Sequence, residues 1–497
     1  MLTPEKKANA GKSGEFGTVR NYVNGGFENA EETTEYKVFN PAFGKTIATV
    51  YDTEKASVDR AIGYAHDAFL KWSTVPITSR IKLLFRLENL MQENADELAK
   101  LVTMEHGKTF EEAKGEVMRS IENIQAACAA TYHIMGTNNK NISSGIDEEL
   151  IRVPMGVFAV IAPFNFPIMV PFWFIPYAIG LGNTIVVKPS EKVPLTMQKA
   201  IELIGRAGFP PGVVSVINGS APVVNAILDN RQIAGVSFVG STSAGEYIYK
   251  RATANHKRAQ AGASAKNYEL VMPDADLKRV IPGLISSFFG NAGERCLAGS
   301  VLVTLPENHE KVVSAFTAAA RRLKLGYGLD PETEMGPLIR DEHRKRVISY
   351  IEKGEEQGAR LVLDGRANKP AAYREGYFLG PSVFDDARHD MSIIREEIFG
   401  PVASVVEAEN FDGAIELINR SEFGNASTIF TSSGRYADEF VSRVEAGNIG
   451  VNIGVAAPIA YYPFGGFKKS FFGDLHAQGG RDHVMFYTDS KVIIRRW

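Results

Sequence analysis

Hydrophobic residues follow two patterns along this chain, a helical period and short continuous apolar runs. Residues 80–103 follow the helical period behind a Thr78-Ser79 start signal. The apolar positions of that period are Ile81, Leu84, Leu87, Leu90, Met91 and Leu98. Beyond residue 153, apolar runs predict strands at 157–162, 184–187, 213–217 and 236–239. Segments 194–207 and 222–230 are long enough for crossover helices, so this alternation predicts a parallel sheet covered by helices on both faces.

A second alternating block extends from about residue 270 to 447, with strand-like runs at 301–305, 360–363 and 402–407. Residues 484–496 predict a terminal strand. Neither a repeat nor a low-complexity linker separates the two blocks, so two closely packed α/β units are expected.

One stretch, residues 166–181, is almost wholly apolar. It is shorter than a membrane span and contains Pro167, Pro171 and Pro176, so it predicts structure buried inside the protein.

Composition narrows the class of protein. The 497 residues include 44% hydrophobic residues, enough for a large core, and carry a net charge of −3, which gives no basic footprint for nucleic acid. Two cysteines exclude a disulfide framework and are typical of a reducing compartment. Residues 1–16 are polar, with no apolar core for a signal peptide. These features predict a cytoplasmic protein with neither a membrane nor a nucleic-acid partner.

The two cysteines lie in different surroundings. Cys128 lies among alanines in a helical stretch and predicts a core position. Cys296 follows Arg295 in a glycine-bracketed polar turn, where a thiol packs poorly and a guanidinium would lower the pKa of the thiol. A buried structural cysteine is the other interpretation of Cys296, and the local sequence leaves both open.

Nucleotide-binding fingerprints are missing from the predicted sheet. There is no G-x-G-x-x-G, and the Gly-Lys-Ser/Thr triplets at Gly11, Gly44 and Gly107 lack the earlier glycine of a P-loop. Residues 238–242 instead end a strand in glycine and open a helix whose N–H groups could receive a phosphate. Residues 187–191 end another strand with a lysine and a carboxylate at the sheet edge where ligands bind. Taken singly, these are also typical of a capped helix and a solvated ion pair.

Together these segments resemble the aldehyde dehydrogenase superfamily. The resemblance rests on five motifs in the family's order, covering the chain from about residue 20 to its end: residues 162–167, 186–191, 238–242, 289–299 and 396–401. It implies a Rossmann-like NAD-binding domain (1–131 and 153–264), an α/β catalytic domain (265–465) and a small β oligomerisation element (132–152 and 466–497). It also implies a homo-oligomer, either a tetramer or a dimer.

The resemblance assigns a role to each matching residue. It implies that Cys296 is the nucleophile and that the Asn165 amide and the Cys296 backbone N–H hold the oxyanion. Losing one such donor typically costs ~10²–10³ in rate. The residues implied to bind NAD are Phe164, Lys188, Glu191, Gly240, Ser241, Glu397 and Phe399. A carboxylate at Glu191 would repel a 2′-phosphate, which favours NAD over NADP.

The chain departs from hydrolytic members of the family at one position. Their glutamate base, which activates water against the thioester, is matched here by Gly262. General-base catalysis is typically worth ~10²–10⁴, so water attack should be slow and the thioester should await a thiol such as coenzyme A. In lacking this glutamate, the chain resembles the CoA-acylating methylmalonate-semialdehyde dehydrogenases. Glu294 is an alternative substitute base, although hydrolytic relatives also have Glu or Gln at that position.

In that subfamily two arginines bind the substrate carboxylate, and the matching residues are Arg119 and Arg295. Tyr268 and Glu269 depart from the subfamily pattern, which leaves a different acidic semialdehyde open. The resemblance therefore implies oxidation of (methyl)malonate semialdehyde with decarboxylation and transfer to CoA, giving propionyl-CoA or acetyl-CoA. Two rivals remain, a hydrolytic NAD-dependent dehydrogenase of another acidic semialdehyde and a non-catalytic protein built on the same fold.

Overall fold

The computed structural model describes residues 14–31 and 33–497. The polar N-terminal segment and the start of the first predicted domain, up to residue 13, lie outside the described residues. Two large sheets organise the rest, and we refer to them as the first sheet and the second sheet.

The first sheet has eight strands, and five adjacent strands in its middle are parallel to one another. Its order is Gly26–Glu28, Asn21–Val23, Val214–Val216, Thr184–Lys188, Val157–Ile161, Ile233–Val239, Arg258–Gly262 and Phe471–Phe472. The strands Val157–Ile161 and Thr184–Lys188 are buried at every position, as expected for a sheet covered on both faces. The predicted Rossmann-like sheet is confirmed.

Helices cover both faces of the first sheet. One layer contains Lys55–Trp72, Ala221–Asp229 and Thr242–Ala254, and the other contains Ile77–Glu93, Ala95–His106, Phe110–Cys128, Met169–Gly180 and Leu195–Ala207. The single helix predicted over 80–103 is therefore two helices. They meet at Asn94, whose side-chain amide donates to the Leu90 carbonyl at 2.7 Å and so satisfies an acceptor at the end of the first helix.

The apolar stretch predicted to be buried forms the helix Met169–Gly180, whose residues from Val170 to Gly180 are all buried. Among the described residues, no helix combines the length and the hydropathy needed to span a membrane.

The second sheet has seven strands and one antiparallel edge. Its order is Arg360–Leu363, Ser382–Asp385, Val402–Glu407, Gly299–Thr304, Asn267–Val271, Ala426–Phe430 and Asn448–Val451. Its helices are Leu277–Phe289, His309–Arg321, Asp341–Glu356, Ser392–Arg395, Phe411–Asn419 and Gly434–Arg443, with short 3₁₀ turns at Gly290–Gly293 and Ala371–Tyr373. The predicted second α/β unit is confirmed.

Three smaller sheets complete the described fold. Thr137–Ser143, Ile146–Pro154 and Thr488–Arg496 form an antiparallel sheet, and Glu35–Asn40 pairs with Lys45–Tyr51 and Phe423–Gly424 with Phe467–Lys468. The helix Ala130–His133 precedes the first of these strands. The strand predicted over 484–496 begins only at Thr488, because residues 484–487 belong to the buried helix Gly480–Tyr487.

His483 lies in that helix, fully buried, with its ring stacked against Tyr177 and Tyr487 and neither ring nitrogen hydrogen-bonded. Burial lowers the pKa of His483 to about 3. The unfolded chain binds this proton near pH 6.5, so the stability contributed by the neutral ring is lost as the pH falls below about 6.5.

We therefore expect His483→Phe to reduce the acid sensitivity of the fold. Between pH 8 and 5.5 the wild type should lose about 1.4 kcal/mol more unfolding free energy than the variant, because the unfolded histidine gains a proton. Urea unfolding of both proteins at the two pH values measures the difference, in which the other histidines cancel. An identical pH dependence in the two proteins would contradict the account.

Candidate active site

The segment around Cys296 lies between the two sheets. A small cavity beside its thiol is lined by Val239 and Gly262, which end strands of the first sheet, and by Asn425, which precedes a strand of the second. The candidate site therefore lies at the carboxyl edge of the first sheet, where ligands bind in open α/β folds.

Backbone conformation shapes the turn before Cys296. Asn291 and Ala292 have left-handed φ angles of 56° and 51°, and Gly293 has a φ of 73°. A Cβ on Gly293 would lie 2.3 Å from the Gly400 carbonyl oxygen, so only glycine fits there. Strained residues of this kind concentrate at functional sites.

Two asparagines fix the backbone of the nucleophile. The Nδ2 atoms of Asn267 and Asn425 each donate to the Cys296 carbonyl oxygen at 2.8 Å. Asn267 also donates to the Ala298 carbonyl at 2.8 Å. Sequence reasoning assigned neither residue a role. Asn267 lies in a segment that matches the subfamily, whereas Asn425 is 129 residues from Cys296 and gave no signal.

The pKa of the Cys296 thiol is shifted in the opposite direction to the one that the sequence predicts. Burial raises the pKa of the Cys296 thiol to about 12, and the Glu397 carboxylate adds to this rise. The Arg295 guanidinium acts in the opposite direction, as predicted, but the effect of burial is larger. Burial also raises the pKa of the Cys128 thiol to about 12, so position rather than acidity distinguishes the two cysteines.

We expect the alkylation rate of Cys296 by iodoacetamide in the free protein to rise about tenfold per pH unit from pH 7 to 10. The thiolate is the reacting form, and its fraction rises in this way at every pH below the pKa. Peptide mass spectrometry after quenched alkylation measures the rate at Cys296 separately from Cys128. A plateau below pH 8 would show that the arginine, not burial, sets the acidity.

Asn165 lies beside the nucleophile segment. It is 5% exposed, and its Nδ2 donates to the Glu294 carbonyl at 3.1 Å, two residues before Cys296. An amide nitrogen has two N–H groups, so this bond leaves one available for an oxyanion. The structure thus brings together the two residues predicted to react with and stabilise the substrate carbonyl.

Glu294, the alternative base, is not among the residues that line this cavity. Its fully buried carboxyl group accepts from the Ile339 N–H at 3.2 Å and lies 3.8 Å from His106 and 3.5 Å from His343. Burial raises the pKa of Glu294 to about 8. Because its carboxyl group does not line the Cys296 cavity, Glu294 is a poor candidate for the base.

Gly262 lines the cavity that contains Cys296. A Cβ built on it would meet Val239 at 3.5 Å, which is ordinary van der Waals contact. The position predicted to lack a base is thus next to the nucleophile, and a Cβ can be added there without a close contact.

Residues predicted to bind the adenosine half of the cofactor lie at the ends of the two strands that flank Val157–Ile161 in the first sheet. Lys188 is 4% exposed, donates to the Gly219 carbonyl at 2.8 Å and lies 3.7 Å from Glu191. Gly240 follows the strand Ile233–Val239. Ser241 is the N-cap of the helix Thr242–Ala254, whose first turn holds no acidic residue. Such a helix start with lysine and carboxylate beside it fits a dinucleotide.

Residues predicted at the nicotinamide half also converge. The Phe164 and Phe399 rings are 5.9 Å apart, and Phe399 has a left-handed φ of 59°. The Phe399 carbonyl bonds His343 Nε2 at 2.6 Å. Glu397 accepts from the Ala265 N–H at 2.8 Å, and burial raises the pKa of Glu397. The residues predicted for each half of a dinucleotide therefore suit a bound NAD⁺.

Each of the two predicted carboxylate-binding arginines is paired with an acid of the chain. Arg295 lies 3.7 Å from Glu112, and Arg119 lies 2.6 Å from Glu122. Glu112 and Arg119 belong to one helix at a spacing of seven residues and share a face with Glu116. Glu112 contacts the nucleophile segment through the Asn291 N–H at 2.6 Å. The same helix face therefore carries Arg119 toward the site, although no direct contact between the two arginines is observed among the described residues.

Tyr268 and Glu269, the two departures from the subfamily pattern, are each 2% exposed in a strand of the second sheet. Neither lines the Cys296 cavity. They therefore give no reason to expect a different substrate.

The sequence and the fold correspond to those of known proteins. Residues 27–493 match the aldehyde dehydrogenase family, and the chain belongs to this family of enzymes. A malonate-semialdehyde dehydrogenase from Geobacillus thermodenitrificans is 46% identical over 479 residues, which cover 96% of this chain and 99% of the relative.

Solved structures agree with this relationship. The methylmalonate-semialdehyde dehydrogenase of Oceanimonas doudoroffii superposes with a TM-score of 0.95 at 42% identity, covering 97% of this chain and 98% of the other. An NAD⁺ complex of an aldehyde dehydrogenase from Bacillus cereus gives a TM-score of 0.92 at 32% identity, covering 100% of this chain and 99% of the other.

Proposed function

We propose that this enzyme oxidises malonate or methylmalonate semialdehyde with NAD⁺ and passes the decarboxylated acyl group to coenzyme A. The observation that carries the proposal is Gly262 beside Cys296, where hydrolytic relatives have a base. The names of the relatives support the substrate, and the NAD⁺ complex of a structural neighbour supports the cofactor.

The chemistry begins at Cys296. Its thiolate attacks the aldehyde carbon, and the Asn165 amide and the Cys296 N–H stabilise the oxyanion of the thiohemiacetal. Bound NAD⁺ supplies the acceptor for the hydride that this intermediate expels as it becomes a thioester. We assign Lys188, Glu191, Gly240 and Ser241 to the adenosine and phosphate half of the cofactor, and Phe164, Glu397 and Phe399 to the nicotinamide half.

The acyl group on Cys296 then carries a carboxylate on its α-carbon. The bond to that carboxylate breaks, CO₂ leaves, and the electron pair moves to the thioester carbonyl as an enolate, which takes a proton from water. The oxyanion site at Asn165 stabilises the enolate oxygen. The CoA thiol finally attacks the thioester and releases Cys296, giving acetyl-CoA or propionyl-CoA.

The experiment that tests this sequence is capture of the acyl-enzyme. Malonate semialdehyde and NAD⁺ without CoA should leave an acetyl group on Cys296, identified by peptide mass spectrometry after acid quench. A malonyl group there would contradict the decarboxylation, and an unmodified Cys296 with continuing NADH release would contradict the persistent thioester.

Arg119 and Arg295 are proposed to bind the substrate carboxylate. We expect Arg119→Ala to lower kcat/KM for malonate semialdehyde by about ten- to a hundredfold, because a hydrogen bond to a charged group is worth ~1.5–3 kcal/mol. Propanal, which lacks the carboxylate, should be nearly unaffected. Steady-state kinetics with both aldehydes measures the difference, with Lys114→Ala on the same helix as control. Equal losses for both aldehydes would contradict the assignment.

We also propose a cytoplasmic homo-oligomer, a dimer or tetramer, formed through the antiparallel sheet of Thr137–Ser143, Ile146–Pro154 and Thr488–Arg496. Exposed apolar side chains on its strands support this, Ile142 at 53%, Val492 at 61% and Ile494 at 65% exposure. The domain boundaries at residues 131, 153, 265 and 466 stay predictions. The pairing of Phe471–Phe472 with Arg258–Gly262 links the last segment to the first sheet.

A further inference from the structure

A buried ion pair lies behind the Asn165 segment and takes no part in the chemistry described above. Lys108 and Glu116 are 1% and 2% exposed, and Lys108 Nζ lies 2.6 Å from the Glu116 carboxylate. Lys108 immediately precedes Thr109, the N-cap of the helix Phe110–Cys128, and Glu116 lies two turns into that helix. The pair is therefore anchored to one rigid element.

The other side-chain hydrogen bonds observed for the pair join it to the segment 165–169. Lys108 Nζ donates to the Asn165 carbonyl at 2.8 Å and lies 4.2 Å from the centre of the Phe166 ring. Glu116 Oε1 accepts from the Ile168 N–H at 2.9 Å and from the Met169 N–H at 3.2 Å. Lys108 thus bonds one end of the segment that carries Asn165, and Glu116 bonds the other end.

Stability alone explains this arrangement poorly. A buried ion pair contributes little net stability, since the cost of removing both charges from water offsets their attraction, and apolar side chains of similar volume often serve as well. What the pair supplies is a set of directional hydrogen bonds. A lysine can donate to a backbone carbonyl while a glutamate accepts from two backbone N–H groups, and apolar side chains can do neither.

We propose that Lys108 and Glu116 are positioning residues that hold the Asn165 amide where the oxyanion forms. This inference rests on the proposed oxyanion role of Asn165. Displacement of a reacting group by about 1 Å can cost ~10²-fold in rate, so loss of the pair should slow attack on carbonyl carbons specifically.

Two reactions of the Cys296 thiol distinguish misplacement of the Asn165 amide from a general disruption of the site. p-Nitrophenyl acetate acylates Cys296 through a tetrahedral oxyanion and releases p-nitrophenolate, so its burst rate depends on the oxyanion site. Iodoacetamide alkylates the same sulfur by displacing iodide from a saturated carbon, with no oxyanion. Both rates are measured without NAD⁺ in the wild type, in Asn165→Ala and in the double variant Lys108→Met/Glu116→Gln. The control is Lys114→Met, a partly exposed lysine of the same helix.

The double variant removes both charges together, so neither ion is left buried without a partner. We expect its acylation rate to fall ~10²-fold, as in Asn165→Ala, and its alkylation rate to stay within about twofold of the wild type. Adding Asn165→Ala to the double variant should cause no further loss. If the double variant does not fold, Lys108→Arg, which keeps the charge but misplaces the donor, carries the same expectation.

Equal slowing of both reactions would identify a merely structural role and overturn the inference. Normal acylation in the double variant, alongside slow acylation in Asn165→Ala, would overturn the positioning inference and leave the oxyanion role of Asn165 intact. Normal acylation in Asn165→Ala would overturn the oxyanion role of Asn165, and the inference with it.

Discussion

Cys296→Ala is expected to abolish NADH formation from every aldehyde, because no other group in the Cys296 cavity can form the thiohemiacetal. Cys128→Ala is expected to keep most of the activity, since Cys128 ends the helix Phe110–Cys128 and packs against the first-sheet core. NADH absorbance with purified variants, matched for folding by circular dichroism, measures both.

The comparison is informative because burial raises the pKa of both thiols to about 12. A difference in activity must then come from position. Equal loss of activity in the two folded variants would contradict the assignment of Cys296 as nucleophile.

Without CoA, the wild type is expected to release one NADH per active site in a burst and then turn over slowly. Water attack on the thioester lacks a base at Gly262, and a base is typically worth ~10²–10⁴ in rate. CoA should accelerate the slow phase by a comparable factor, because a thiol is a better nucleophile than water. Stopped-flow absorbance of NADH with and without CoA measures both phases.

Gly262→Glu should raise the CoA-independent slow phase, since a Cβ at this position meets only ordinary contacts. Gly262→Gln has nearly the same shape without a base and is the matched control. A rise in both variants would point to a steric effect, and full-rate wild-type turnover without any thiol would contradict the missing-base account.

Much of the fold could be predicted from the sequence because buried parallel strands are continuous apolar runs. The strands predicted at 360–363 and 402–407 have the observed bounds. The error at 484–487 has a physical reason. Val484, Phe486 and Tyr487 form a short apolar run that fits either a strand or one side of a helix. Stacking of His483 against both Tyr177 and Tyr487 favours the helix.

The candidate site was predictable only where its residues lie in local motifs. Cys296, Asn165 and Gly262 each lie in such a motif, and the structure brings them together. The bonds from Asn267 and Asn425 to the Cys296 carbonyl, and those from Lys108 and Glu116 to the segment 165–169, join residues far apart in the chain and depend on tertiary geometry. The raised pKa of Cys296 was missed because burial, which a sequence does not display, outweighs the adjacent arginine.

Product identification tests the central claim most directly. The wild type is incubated with malonate semialdehyde and NAD⁺, with and without CoA, and the products are identified by mass spectrometry. The account predicts acetyl-CoA and CO₂ in amounts equal to NADH when CoA is present, and little free acid when it is absent. Free malonate or acetate formed at the same rate without CoA, or malonyl-CoA as the main product, would contradict it.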